Sequence, residues 1–420
     1  MSAIPAASPE IAPPDLALAE RLFDALARRT RRGRGIERDT YGAGEQAAHD
    51  IVSEAAAAVG LEVAVDAIGN LTLTLPGRDR AAPGVIVGSH LDSVPQGGNF
   101  DGAAGVLAGL AALAGMRAAG VVPPFDIGVM AIRGEESAWF DIAYIGSLAA
   151  FGKLDPTCLD VRRFDTNLTL AATLAAQGFA PEAIRTHRRL LDPARVRAYL
   201  ELHIEQGPVL VHAGLPAAAV TGIRGCRRFR NAVCVGRYGH SGALPRQFRQ
   251  DAVAATVALL HHMQGEWLRQ EAAGADLVLT SGEFTTDPEQ HGPSKVAGHT
   301  RFVLDIRSLS DTTMDAVADV ARDAAIRIGE EYRVRFDLGA TSDSPPALMD
   351  PRLVAGFDQD FTMASGAGHD AAVFAQAGVP SGMIFVRNEH GSHNPDEAMA
   401  LADFAVATRA LSALLQDFPF

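Results

Sequence analysis

The chain is predicted to fold as an α/β protein, a mostly parallel, helix-covered sheet with a ferredoxin-like (βαββαβ) domain inserted into it. Three observations predict this. Short apolar runs alternate with helical patterns through the first half of the sequence, as parallel strands and their crossover helices do. Four of those runs end in side chains of metal-ligand type, at the end of the strand where open α/β sheets assemble their sites. Near Pro216 the order changes to strand, helix, strand, strand, helix, strand, the sequence of a ferredoxin-like sandwich.

The elements follow in order. Residues 15–30 place Leu16, Leu18, Leu22, Phe23 and Leu26 at helical spacing. A second helix covers about 44–59 and is stopped by Gly60. Residues 61–75 read as two strands around a Gly69-Asn70 turn. The run Val85-Ile86-Val87 delivers His90, and a glycine-rich turn brings back Asp101. Asp101 stands at the edge of a small-residue helix over 102–119, where the helix dipole favours an ionised carboxylate. The apolar run 125–132 leads to Glu135-Glu136, YLELHIEQG contains His203, and MIFVRN precedes His393. Beyond Pro216 come a strand at 227–235, a long helix at 247–272 and strands at about 276–284 and 299–307. A helix at about 312–329 and a strand at 332–338 complete the block, and Asp343-Ser344-Pro345-Pro346 marks the exit. His393 belongs with the earlier ligands, so the block is an insertion: residues 1–215 and 342–420 form one domain and 216–341 the other. No internal repeat is visible.

Composition narrows the class. A chain of 420 residues exceeds what one core usually supports. Its net charge of −13 argues against nucleic acid or an anionic membrane as a general partner. Three cysteines without a CxxC pair fit a reducing compartment. The first fourteen residues lack a basic and an apolar region and read as a frayed Pro/Ala tail. With no uninterrupted apolar stretch of spanning length, the expected location is the cytoplasm. The basic run Arg28, Arg29, Arg31, Arg32, Arg34 and Arg38 reads as a solvated helix end rather than a phosphate site.

Imidazoles and carboxylates at strand ends suit Zn²⁺ and neighbouring divalent ions. With five such ligands one carboxylate can bridge, which points to a two-metal hydrolytic centre. His187, His261, His262, His291 and His299 carry no such context and read as ordinary histidines.

The strings GSHLDSVPQGGNFDG, the Glu-Glu pair, ELHIEQGPVL, GHSGALP, LDIRS, SGAGHDAA and GSHNPDEA resemble the zinc-dependent amidohydrolases of the hydantoinase/carbamoylase group. That group comprises N-carbamoyl-L-amino-acid hydrolases, β-ureidopropionases and allantoate amidohydrolases, within the wider M20 metallopeptidase fold. The match runs from about residue 35 to the C-terminus. The resemblance implies a catalytic domain with an inserted lid and dimerisation domain. It implies two divalent ions, Zn²⁺ foremost with Mn²⁺, Co²⁺ or Ni²⁺ able to substitute. His90, Asp101 and His203 would hold one ion, and Asp101, Glu136 and His393 the other. Glu135 would be the general base that takes a proton from water acidified by metal and returns it to the leaving nitrogen. His240 would reach the partner subunit's site and stabilise the oxyanion, and Arg307 would grip the substrate carboxylate. Gln206, Gly368 and His369 match positions around the substrate.

Two departures bear on the substrate. Ser294 stands where relatives usually carry Asn, and Cys226 where they often carry Gln. Both family side chains are amides suited to a polar, planar group. Trp139, after the Glu-Glu pair, replaces a basic or small residue. The expected function is hydrolysis of the amide or ureido C–N bond of an N-carbamoyl-type amino acid. An N-acyl-amino-acid deacylase or dipeptidase on the same metals is the alternative, and a catalytically silent binding protein a third reading. The expected partners are a small N-substituted amino acid and a second copy of the chain.

Overall fold

A computed structural model describes residues 11–420. The chain divides into two compact units, one running to Thr221 and resuming at Leu348, the other Gly222–Ala347.

The first unit is built on a nine-stranded sheet. Its centre is four parallel strands in the order Ser381–Val386, Val196–Ile204, Gly84–His90, Ile127–Ile132. Ile127–Ile132 and Ser381–Val386 are buried along their whole length, as strands covered on both faces are. Antiparallel strands extend both sides: Leu71–Leu75 and Glu62–Val65 beyond Ile127–Ile132, and Ala217–Ile223 beyond Ser381–Val386. Ala217–Ile223 is absent from the sequence reading, because Ala217-Ala218-Ala219 carries little strand propensity. It becomes a strand by pairing with Ser381–Val386.

Helix Ala103–Ala118 crosses the sheet buried on every side up to Met116. That is the behaviour of a helix made of Ala, Gly, Val and Leu with no polar face. It joins Leu16–Thr30, Ala43–Ala58 and Leu401–Gln416 in one core with the central strands. Between Ile132 and Val196 the expected alternation of strand and helix fails. Short helices (Ile145–Ala150, Leu170–Ala176, Glu182–Arg185) occupy this stretch and form a separate small core.

Two readings near the start are corrected. Of the expected frayed tail, residues 1–10 lie outside the described residues, while Ala12 is buried and its N–H donates to Gln416 Oε1 at 2.8 Å. Arg38 is also fully buried rather than solvated.

The second unit is an antiparallel sheet in the order Val278–Thr280, His299–Ser308, Gly225–Val235, Arg335–Asp337. Helices Ala252–Ala272 and Asp311–Tyr332 pack on one face, over Phe229, Phe302, Leu304 and Ile306. Gly225–Val235 and His299–Ser308, first and third of these four along the chain, are central, the ferredoxin-like arrangement. The long helix begins at Ala252, later than its periodicity suggested, because Asp251 caps it through Ala254 N. The single strand expected at 276–284 is two pieces, Val278–Thr280 and Phe284–Thr286, both paired with His299–Ser308. Between them Ser281, Gly282 and Glu283 oppose only Val303 and Leu304, so the ladder is broken by a bulge. Among the described residues no helix is long and apolar enough to cross a membrane.

Candidate metal centre

The parallel strands end side by side, and this brings their terminal residues together. Gly84–His90 ends in His90, and Val196–Ile204 carries His203 one residue before its end. Their Nε2 atoms lie 3.5 Å apart. Each Nδ1 faces a carbonyl, Asp92 O at 3.1 Å and Ile204 O at 2.9 Å. A carbonyl only accepts, so the proton sits on Nδ1 and the Nε2 lone pair is turned to the centre. Asp101 arrives through Gly102, which has φ +66° and would set a Cβ 2.5 Å from the His90 ring. Only glycine allows that approach.

Asp101 is the hub. Its Oδ1 lies 3.2 Å from His203 Nε2 and 3.7 Å from His90 Nε2, and it is buried without a hydrogen-bond partner. Its Oδ2 lies 3.3 Å from His393 Nε2, which is 3.0 Å from Glu136 Oε1. Two ligand groups therefore share one carboxylate: His90, Asp101 and His203, and Asp101, Glu136 and His393. An orphaned buried carboxylate oxygen among aligned imidazoles fits a divalent ion, and nitrogen with oxygen is the donor set of zinc and its neighbours. His393 is the exposed ligand, with a side chain 49% accessible.

Glu135 Oε2 stands 3.9 Å from His90 Nε2. Burial pushes its carboxyl well above the usual carboxylate range, opposed by His90 and reinforced by Glu136. Burial works on Asp101 in the same sense, but the His203 and His393 rings beside it prevail and hold it well below that range.

Gln206 Nε2 donates to Asp101 Oδ2 at 3.0 Å. Gln206 and His393 both adopt left-handed φ, 63° and 60°, a strain that surrounding structure must hold. Asn388 Oδ1 does so for Gln206 by accepting its N–H at 2.9 Å. His369 is buried, its ring centroid 4.4 Å from that of His203, and its Nε2 bonds Ser365 Oγ at 2.9 Å. Burial and then His203 depress its pKa. At Gly368 a Cβ would fall 1.6 Å from the Tyr144 hydroxyl, so a larger residue there would have to displace that ring.

The remaining candidates belong to the second unit. His240 lies in the two-residue strand Gly239–His240, paired with Lys295–Val296. Its Nδ1 accepts from Gly242 N at 3.1 Å and Ala243 N at 3.2 Å, so the neutral ring carries its proton on Nε2. Ser294 holds the same turn by accepting Ser241 N at 2.8 Å through its carbonyl. Cys226 is directly opposite Arg307 on the neighbouring strand. Arg307 is paired with Asp305 at 3.0 Å, and the same carboxylate takes Arg228 at 2.7 Å. Ser344 Oγ lies 3.5 Å from Cys226 Sγ.

Trp139 follows the Glu135–Glu136 turn. It is buried, its indole N–H donates to Ser93 O at 2.7 Å, and it stacks on Phe164. His187, His261, His262, His291 and His299 join no metal-ligand group among the described residues.

Several supporting residues escaped the sequence reading. Asp92 Oδ1 accepts Glu135 N at 3.1 Å and Oδ2 accepts Glu136 N at 3.2 Å, while Thr40 donates to Oδ2 at 2.6 Å. Its place two residues after His90 was the one available signal. Arg38 donates to Leu91 O at 2.5 Å and Asp101 O at 3.2 Å. Ser392 Oγ donates to Asp101 Oδ2 at 2.5 Å and lies 2.7 Å from Glu397, whose Oε1 accepts Phe100 N at 2.8 Å.

Residues 86–417 match the family model described as Peptidase family M20/M25/M40. The chain is 36% identical over 386 residues to the N-carbamoyl-L-amino acid amidohydrolase of Geobacillus stearothermophilus, covering 90% of this chain and 92% of that protein. It is 32% identical over 371 residues to the allantoate amidohydrolase of Escherichia coli (strain K12), covering 86% and 87%. The crystal structure of a hydantoinase/carbamoylase family amidase from Burkholderia ambifaria superposes with TM-score 0.84 at 29% identity, over 96% of this chain and 97% of that one.

Proposed function

Because the chain belongs to peptidase family M20/M25/M40, we propose that it is a two-metal amidohydrolase cleaving the C–N bond of an N-carbamoyl-type amino acid. The observation that carries this reading is Asp101, shared by two ligand groups with Glu135 beside them. His90, Asp101 and His203 would hold one divalent ion, and Asp101, Glu136 and His393 the other. Zn²⁺ suits the donors best, and Mn²⁺, Co²⁺ or Ni²⁺ accept the same set. When bound, such ions polarise the scissile carbonyl and acidify water at the site.

The chain's own groups do the rest. Glu135 takes the proton of the attacking water on its carboxylate and returns it to the leaving nitrogen. Asp92 fixes the turn that presents Glu135. Arg307 binds the substrate carboxylate, a two-pronged task for which a guanidinium is shaped. His240, with its proton on Nε2, donates to the developing oxyanion in the site of a second subunit. Gln206, Cys226, Ser294, Gly368 and His369 border the substrate. A homodimer through the second unit completes the proposal, supported by the sheet-edge strand Arg335–Asp337. Three free cysteines support a cytoplasmic location.

Relatives named for N-carbamoyl-L-amino acids support the ureido substrate. Cys226 and Ser294 favour a second reading, a less polar acyl group on the same centre. Metal-reconstituted protein assayed against N-carbamoyl, N-formyl, N-acetyl and N-aromatic-acyl amino acids of both chiralities decides. Fastest turnover of an N-carbamoyl-L-amino acid is expected. Preference for an acyl substrate would give the second reading, and bound metal with no turnover of any substrate would leave a binding protein.

A further inference from the structure

The Glu135–Glu136 turn is held along its whole backbone. Four consecutive N–H groups donate to side chains from three different segments. Arg133 N donates to Asn70 Oδ1 at 3.0 Å, and Gly134 N to Glu45 Oε1 at 3.0 Å. Glu135 N and Glu136 N go to Asp92. On the other side, the carbonyls of Arg133, Gly134 and Glu135 accept from Gly146, Ile145 and Tyr144 at 2.8, 2.8 and 3.0 Å.

Glu45 and Arg133 stand out in this cradle. Both are buried, and they pair at 3.0 Å. Arg133 also donates to Gly69 O at 2.9 Å and Gln46 Oε1 at 2.6 Å, with its guanidinium over the Phe179 ring. Glu45 Oε2 takes two donors, Arg133 Nη1 and Tyr41 N, the latter at 2.6 Å; Oε1 takes Gly134 N. A buried ion pair adds little net stability compared with apolar residues of the same volume. What Glu45 does beyond this pairing is fix, through its other oxygen, the residue before the general base.

We infer that Glu45 is a positioning residue for the reaction, setting through Gly134 where Glu135 presents its carboxylate. The inference rests on Glu135 being the base. Glu45→Gln is the informative variant, because it keeps the shape and replaces one acceptor oxygen with a donor NH₂. Two donors face Oε2 and one faces Oε1, so the amide oxygen turns to the former and the NH₂ confronts Gly134 N–H. Arg133→Met removes the ion pair on Oε2 and leaves the Gly134 bond to Oε1 in place.

The test uses the full, metal-reconstituted chain on its best substrate from the panel above, with kcat, KM, bound metal and melting temperature measured together. In Glu45→Gln, kcat should fall about ten- to a hundredfold, the scale of a misplacement near 1 Å, with KM and metal content unchanged. Arg133→Met should lose melting temperature and keep kcat close to the parent. A parental kcat in Glu45→Gln, a loss that tracks missing metal, or equal kcat losses in the two variants would each overturn the inference. Should Glu45→Gln fail to fold, Glu45→Gln/Arg133→Met leaves no buried charge unpaired and is read by the same criteria. Glu135→Gln run in parallel separates the two readings. A parental rate there removes Glu135 as base and this inference with it. An inactive Glu135→Gln beside a parental Glu45→Gln removes this inference alone.

Discussion

Asp92→Asn is a sharp probe of how the centre is built. The carboxylate receives Glu135 N on one oxygen and Glu136 N and Thr40 Oγ1 on the other. It also lies 3.3 Å from His90 Nδ1. An asparagine offers one acceptor oxygen. The Thr40 hydroxyl can rotate and accept instead, but a backbone N–H cannot. Whichever way the amide turns, one of the two N–H groups faces an NH₂ in a buried site, at a cost of about 1–3 kcal/mol. In a chain of this size that is a fall in melting temperature of roughly 1–4 °C. Loosening the Glu136 turn and the His90 ring should weaken metal binding about 10- to 100-fold, the usual effect of losing an outer partner of a ligand. Equilibrium dialysis against buffered free Zn²⁺ measures the affinity, and melting of the metal-free protein isolates the packing cost. An Asp92→Asn protein with parental affinity and parental melting temperature would refute the claim that Asp92 holds both ligands.

Three further outcomes are expected. Glu135→Gln should keep its metal and lose about 10²–10⁴-fold in kcat; near-parental turnover would require another proton carrier. Trp139→Ala should destabilise by about 3–5 kcal/mol, since it empties a buried site and strips Ser93 O of its donor; an unchanged melting temperature with altered KM would return Trp139 to the substrate pocket. Mixing His240→Ala chains with Glu135→Gln chains should regenerate about a quarter of parental activity if dimers scramble at random, because half are mixed and each mixed dimer has one complete site. A mixture as inactive as its components would place His240 in its own chain's site.

What the sequence disclosed follows from how far each signal reaches. His90, His203 and the Glu135–Glu136 pair close apolar runs, so strand periodicity alone set them at one end of a sheet. Asp101 carried a helix edge beside a glycine turn. Arg38 gave no such sign: in a run of arginines it looks solvated, and its partners Leu91 and Asp101 lie 53 and 63 residues away. Glu45 and Arg133 are 88 residues apart and sit in unremarked stretches of helix and turn. The partners of Trp139, Ser93 O and the Phe164 ring, were hidden for a related reason, since proximity to the Glu-Glu pair in sequence says nothing about which way an indole turns. Candidate ligands are legible because their elements announce them. The groups that hold ligands are defined by tertiary contacts, and periodicity does not encode those.

The shared Asp101 carboxylate is the claim on which the rest depends, and metal stoichiometry tests it most directly. Metal-free protein titrated with Zn²⁺ should bind two ions per chain and gain full activity only as the second is taken up, while Asp101→Ala, losing the ligand common to both groups, should bind neither tightly. Saturation at one ion per chain with full activity, or an Asp101→Ala protein that still holds two, would contradict the account.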